Sequence, residues 1–110
     1  MSNASRPHDD AMVEMLRADP AFADEYLAAC MEAIDEAGGQ EALMLALRHV
    51  AEAQGIAKIA ERAGLPRESL YKSLSAKGNP TLKTLLAVLG AAGLRMSVTR
   101  DVGNNHEVHA

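Results

Sequence analysis

Apolar residues recur along this chain at helical spacing, in short runs punctuated by Gly and Pro. Met12, Val13, Met15 and Leu16 predict a short helix or helical arm over Ala11 to Arg17. Asp19-Pro20 then reads as a start signal, Asp capping free N–H groups and Pro losing nothing at the first helical position. The helix that follows places Phe22, Tyr26, Leu27, Cys30, Met31 and Ile34 on one side, with Gly38-Gly39 as its end. Gln40 to Ala53 carries Leu43, Met44, Leu47 and Val50 on one face and stops at Gln54-Gly55. Ile56 to Ala63 makes only about two turns before Gly64. Leu65-Pro66 opens another short helix reaching about Ser75, and Lys77-Gly78 breaks it. Asn79-Pro80 repeats the cap-plus-proline start, and the last helix, Thr81 to about Leu89, is expected to bury Leu82, Leu85, Leu86 and Leu89.

After Gly90 and Gly93 the period changes. Leu94, Met96 and Val98 alternate with Arg95, Ser97 and Thr99, the pattern of a half-buried strand. A lone strand in a helical domain cannot satisfy its own edges. The cheapest pairing partner is the same strand of a second copy, so a homodimer is expected. The whole reads as all-α: about five short helices in residues 11–100, one short C-terminal strand, a disordered N-terminus over 1–10 and a disordered tail over 101–110.

Composition agrees. The chain has 110 residues, enough for one domain. Its aromatics are Phe22, Tyr26 and Tyr71 alone, so the core must be Ala, Leu, Met, Ile and Val, which suits closely packed helices. Cys30 is the only cysteine, which excludes an internal disulfide and a cysteine-based metal site. No apolar run approaches the ~20 residues that span a bilayer. Met1 to Asp10 is polar and lacks a secretory signal's hydrophobic stretch, so a cytoplasmic location is expected. The net charge of −4 hides an asymmetry. Asp9 to Glu41 holds ten acids and one base, Arg17. Gln54 to Thr84 holds six bases (Lys58, Arg62, Arg67, Lys72, Lys77, Lys83) against Glu61 and Glu68. A basic face, not a basic total, is what double-stranded DNA requires.

Ile56 to Leu74 has the spacing of a helix-turn-helix. Two short helices crossing at close range need a small residue, which Ala60 supplies. Four residues on, the turn needs a residue tolerant of positive φ, which Gly64 supplies. Ile59, Ala63, Leu65, Leu70 and Leu74 sit where apolar pins to the core belong. Arg67, Glu68, Ser69, Tyr71, Lys72 and Ser75 are left facing outward, the makeup of a surface that reads the major groove. Arg67 suits a bidentate contact to guanine or a reach to phosphate. Tyr71 and Lys72 lie one turn on; packing with the hydroxyl at the rim is the other reading of Tyr71. Glu68 suits a cytosine amine, or a buttress for Arg67. Lys77, Asn79, Thr81 and Lys83 surround the start of the last helix as candidate phosphate contacts, a solvated loop being the alternative for Lys77 and Lys83.

At these residues the chain resembles a known family. Asp19-Pro20 with Tyr26-Leu27, the block Gly64-Leu-Pro-Arg-Glu-Ser-Leu-Tyr-Lys-Ser-Leu74, Gly78-Asn-Pro80, Leu85-Leu86 and Gly93-Leu-Arg-Met-Ser-Val98 are similar to the HigA-like addiction-module antidotes, also described as prophage-type DNA-binding proteins. These are small members of the Cro/cI-type, lambda-repressor-like helix-turn-helix superfamily. The resemblance implies a lambda-repressor-like bundle and an antitoxin that binds a partner toxin and represses its own operon as a dimer. Many lambda-like domains clamp a phosphate with a glutamine at the start of each motif helix. Here those places hold Ile56, Ala57 and Arg67, with Gln54 only nearby, and Ser73 stands where an apolar residue is commoner.

The acidic stretch Asp9 to Glu41 has two readings: a docking surface for a basic toxin, as the resemblance implies, or the solvated face of amphipathic helices. No catalytic constellation, P-loop or dinucleotide fingerprint is present. His8, His49, His106 and His109 are scattered, and the His106/His109 pair lacks a rigid scaffold for a metal. No cofactor is expected. A protein-interaction module of the same fold that reads no DNA is the competing expectation.

Overall fold

A computed structural model describes residues 6–75 and 77–101. Six helices follow in chain order among these residues: α1 (Arg6–Ala18), α2 (Phe22–Glu32), α3 (Gly39–Gln54), α4 (Ile56–Ala63), α5 (Arg67–Ser73) and α6 (Leu82–Ala91). The architecture is all-helical, as the apolar periodicity predicted. α1 starts at Arg6, ahead of the Ala11 at which the apolar pattern begins, so part of the expected disordered N-terminus is helical. Residues 102–110, which include His106 and His109, lie outside the described residues.

The longest helix, α3, is the hub, with α1, α2 and α4 packed on it; α4 in turn carries α5 and α6. Leu16 of α1, Leu27 of α2, Met44, Leu47 and Val50 of α3, Ile59 of α4, Leu70 and Leu74 around α5, and Val88 of α6 form one buried cluster. Ala46, Ala51 and Ala60 are nearly inaccessible and let the helices approach closely.

Several expected boundaries move. Asp19 does not cap α2 with its side chain; Ala21 is the N-cap, and the Asp19 carbonyl accepts from Phe22 N–H at 2.9 Å. Gly38-Gly39 does not end α2, which stops at Glu32, but starts α3. Asn79 does not cap the last helix. Thr81 does, its Oγ1 accepting from Thr84 N–H at 3.1 Å. Leu82 and Leu86, expected in the core, are 62% and 45% exposed; Val88 and Ala91 are buried instead, with Leu85 and Leu89 partly so. α6 is apolar on more than one side, so spacing alone does not choose the buried one.

The strand expected over Leu94, Met96 and Val98 is absent: residues 94–100 carry no regular structure. The N–H of Leu94 closes α6 by donating to Leu89 O at 2.8 Å, and Val98 is 96% exposed. A strand exists only against a neighbour that takes its N–H and C=O groups, and a single chain offers this segment none.

A polar network that spacing does not reveal joins three helices. His49 of α3 is 1% exposed. Its Nδ1 lies 2.7 Å from the Tyr26 hydroxyl of α2 and its Nε2 lies 3.0 Å from Asp9 Oδ1 of α1. A ring protonated on Nε2 satisfies all three groups: Nε2–H donates to the carboxylate and Nδ1 accepts from the hydroxyl. Phe22, Tyr26 and His49 stack in sequence, with centroids 5.9 and 6.0 Å apart. Burial, then the nearby Cys30 and Asp9, push the Tyr26 hydroxyl from 10.0 up to about 12. Burial also raises the Cys30 thiol, which makes it a poor nucleophile.

A raised folded pKa on an acid favours its neutral form, so the unfolded chain releases the Tyr26 proton first as pH climbs. The stability this contributes is whole below about pH 10 and is lost as pH rises toward about 12. In an absorbance titration of tyrosinate, Tyr26 is expected to ionise near the upper value, and Tyr26→Phe removes that step. Ionisation of Tyr26 near pH 10 would show the network to be open to water.

Candidate nucleic-acid interface

The surface predicted to carry function is built from α4, the turn and α5. α4 ends in Gly64, at φ 73, a left-handed conformation that any side chain would strain. The turn is closed by Leu65 N–H donating to Ala60 O at 2.9 Å, which folds the half-buried Leu65 back against the cluster. Pro66, extended at ψ 148, leads into α5, and its carbonyl accepts the Leu70 N–H at 3.0 Å. Leu70 and Leu74, one helical turn apart, are 0% and 1% exposed, beside Ile59 at 0%. With that stripe pinned, the opposite arc of α5 must face solvent.

Arg67, Glu68, Ser69, Tyr71 and Lys72 are exposed there together. The other candidates divide. Ser75 is half-buried, and its hydroxyl donates to Lys72 O at 3.0 Å, closing the end of α5. Thr81 is exposed, but its hydroxyl is engaged with Thr84. Lys77, Asn79 and Lys83 are exposed around the connection to α6. That connection comes close to the end of α5: a Cβ on Gly78 would overlap the Ser73 carbonyl oxygen and lie 2.8 Å from Lys72 O.

The charge on this face is net basic: Glu61 and Glu68 are exposed among a larger number of exposed lysines and arginines. Among the described residues the ion pairs between fixed charges are Glu14–Arg17 and Arg48–Glu52, on α1 and α3, and Asp9 is hydrogen-bonded to His49. Lys58, Arg67, Lys72, Lys77 and Lys83 therefore keep their charges toward solvent on the α4–α6 side. Between α1, the α3–α4 junction and α5 runs a groove of about 520 Å³ with the opposite character, lined by Asp10, Val13, Glu14, Arg17, Glu52, Gly55, Ile56 and Tyr71.

Three side chains make contacts here that their place in the sequence does not announce. Gln54 Nε2 donates to Ala92 O at 3.0 Å, and Arg62 donates to Ala91 O at 3.3 Å. Both hold the carbonyl end of α6 against α3 and α4, so the glutamine nearest α4 is occupied. Arg48 of α3 lies over the Tyr71 ring, 5.5 Å from its centroid. The Arg48/Glu52 spacing of four was visible in the sequence, but its meeting with Tyr71 depends on how α5 docks on α3.

Residues 10–100 match the family described as probable addiction module antidote protein. The chain belongs to that family. It is also similar to an uncharacterized protein of Haemophilus influenzae, 41% identical over 61 residues, or 56% of this chain. That stretch spans 63% of the relative's length. No solved structure matches. Among the described residues no helix is long and apolar enough to cross a membrane, and no group of His, Cys, Asp and Glu gathers to hold a metal.

Proposed function

We propose that this protein is the cytoplasmic antitoxin of a toxin–antitoxin module, and that it represses its own operon by binding operator DNA as a homodimer. In this reading α4, the Gly64 turn and α5 form a helix-turn-helix of the lambda-repressor-like kind, and α5 enters the major groove. The observation that carries it is the outer arc of α5. Arg67, Glu68, Tyr71 and Lys72 are exposed side by side on a helix pinned from behind by Leu70 and Leu74. Base-edge readers need that combination of reach and rigid backing. Lys77 and Lys83 contact phosphates at the flank, and Asn79 and Thr81 stand between them.

The dimer is supported by apolar surface in two neighbouring segments, Leu82 and Leu86 on α6 and Met96 and Val98 beyond it, all exposed in the single chain. A two-fold pairing that covers them brings residues 94–100 of two copies together. Two-fold repressors read half-sites about 34 Å apart, which a monomer cannot span.

A second reading, an interaction module that reads no DNA, draws support from the occupied Gln54 amide and the acidic groove beside Tyr71. Gel-shift titration with the DNA upstream of the gene, at about 50 mM salt, separates the two. The expected result is retardation of that DNA well before unrelated DNA of equal length. Equal retardation of both would remove sequence-specific repression, and none at all would favour the second reading. Co-expression with the toxin of its operon tests the antitoxin role separately, growth being restored by the intact chain.

A further inference from the structure

By sequence Arg48 belongs to α3, outside the basic run that begins at Lys58. Folding brings its guanidinium onto α5. The carbon at its centre lies 5.5 Å from the Tyr71 ring centroid, and its Nε donates to Glu52 Oε2 at 3.4 Å. Its side chain remains 40% exposed. A guanidinium has five N–H donors in one plane, and only the Nε–H is engaged here among the described residues. The Tyr71 ring supports one face and Glu52 holds one edge, which leaves the two terminal nitrogens as a free fork. Arg48 also lies outside the acidic groove that Tyr71 and Glu52 help to line.

We propose that Arg48 binds a phosphate of the DNA backbone beside the reading face of α5. The class of ligand follows from the chemistry: two parallel N–H donors match two phosphate oxygens, a fit that a lysine ammonium lacks. An arginine usually loses rotamer freedom when it takes a ligand. Here ring and carboxylate have already restricted it. Arg48 shares the Tyr71 ring with the surface that carries Arg67 and Lys72, so a phosphate at the fork would hold the backbone strand flanking the bases that α5 reads. The contact carries no base information, because phosphates are the same in every sequence.

This inference rests on the reading of α5 as a DNA reader, and the test separates the two. Binding of the upstream DNA and of unrelated DNA is measured across a salt series for the intact protein, Arg48→Met and Arg48→Lys. One lost phosphate contact lowers the slope of log affinity against log salt by about 0.9. The affinity loss between about 50 and 200 mM salt then shrinks by roughly 3.5-fold in Arg48→Met. The variant should weaken both DNAs by the same factor, whereas Arg48→Lys should keep the intact slope and lose affinity. An unchanged slope in Arg48→Met, or weakening confined to the upstream DNA, overturns the assignment while leaving the α5 reading in place. No binding by the intact protein at low salt overturns both. Should Arg48→Met fail to fold, by circular dichroism, Arg48→Gln carries the same expectations.

Discussion

Leu70→Ala is expected to remove about 2–5 kcal/mol of folding stability. Leu70 is 0% exposed and, with Ile59 and Leu74, is among the largest fully buried side chains. Deleting its branched end costs the lost transfer energy plus a cavity, whose size depends on whether neighbours can move in. Ala46, Ala51 and Ala60 of the same cluster are almost inaccessible and have no side chains that could swing across. The nearest aromatic in sequence, Tyr71, lies 38% exposed on the other arc of α5, against Arg48. Domains of this size hold only about 5–15 kcal/mol in total, so the variant should unfold much sooner in urea, with an unchanged slope of free energy against denaturant. Ser69→Ala, one position away on the exposed side, should stay within about 0.5 kcal/mol of the intact chain. α5 has only seven residues, too few to persist as an isolated helix. A Leu70→Ala cost below about 1 kcal/mol would therefore mean that α5 is not held by its core stripe.

The parts of the fold that could be read in the sequence are those set by neighbours in the chain. Gly64 and Pro66 bracket the α4–α5 turn, and Leu70 and Leu74 repeat at one helical turn; local chemistry leaves few alternatives there. The exposed set on α5 follows from that stripe. What could not be read depends on which distant surfaces meet. Leu82 and Leu86 have the same spacing as a buried pair, and only the docking of α6 on α4 turns them outward. Asp9, Tyr26 and His49 are separated by 17 residues or more, and nothing local announces that one buried imidazole joins all three. Asp19 and Asn79 are better caps by preference than Ala21, yet the chain enters α2 through a turn closed by the Asp19 carbonyl, and Thr81 caps α6. Capping preference marks the neighbourhood of a helix start more securely than its residue.

The same division places the second large effect. Arg67→Ala should leave folding almost unchanged, since the side chain is exposed at the first residue of α5 and makes no ion pair among the described residues. Operator affinity should nevertheless fall by about 1–3 kcal/mol, between roughly 5- and 150-fold. The geometry behind this is simple. In a helix that enters the major groove, the N-terminal residues approach base edges first, and an arginine there can span O6 and N7 of one guanine. The free energy differs with sequence only if that pairing exists. Arg67→Ala should thus relax discrimination at one base position, with affinity for unrelated DNA changed much less. A phosphate contact would behave in the opposite way, weakening all sequences alike and flattening the salt dependence, as expected of Arg48. Titrating the upstream DNA and single-base variants of it against both proteins decides between them. Equal loss on every sequence would move Arg67 from reader to clamp. Unchanged affinity throughout would mean that DNA is not bound through this face of α5, and the antitoxin reading would then stand on the family alone.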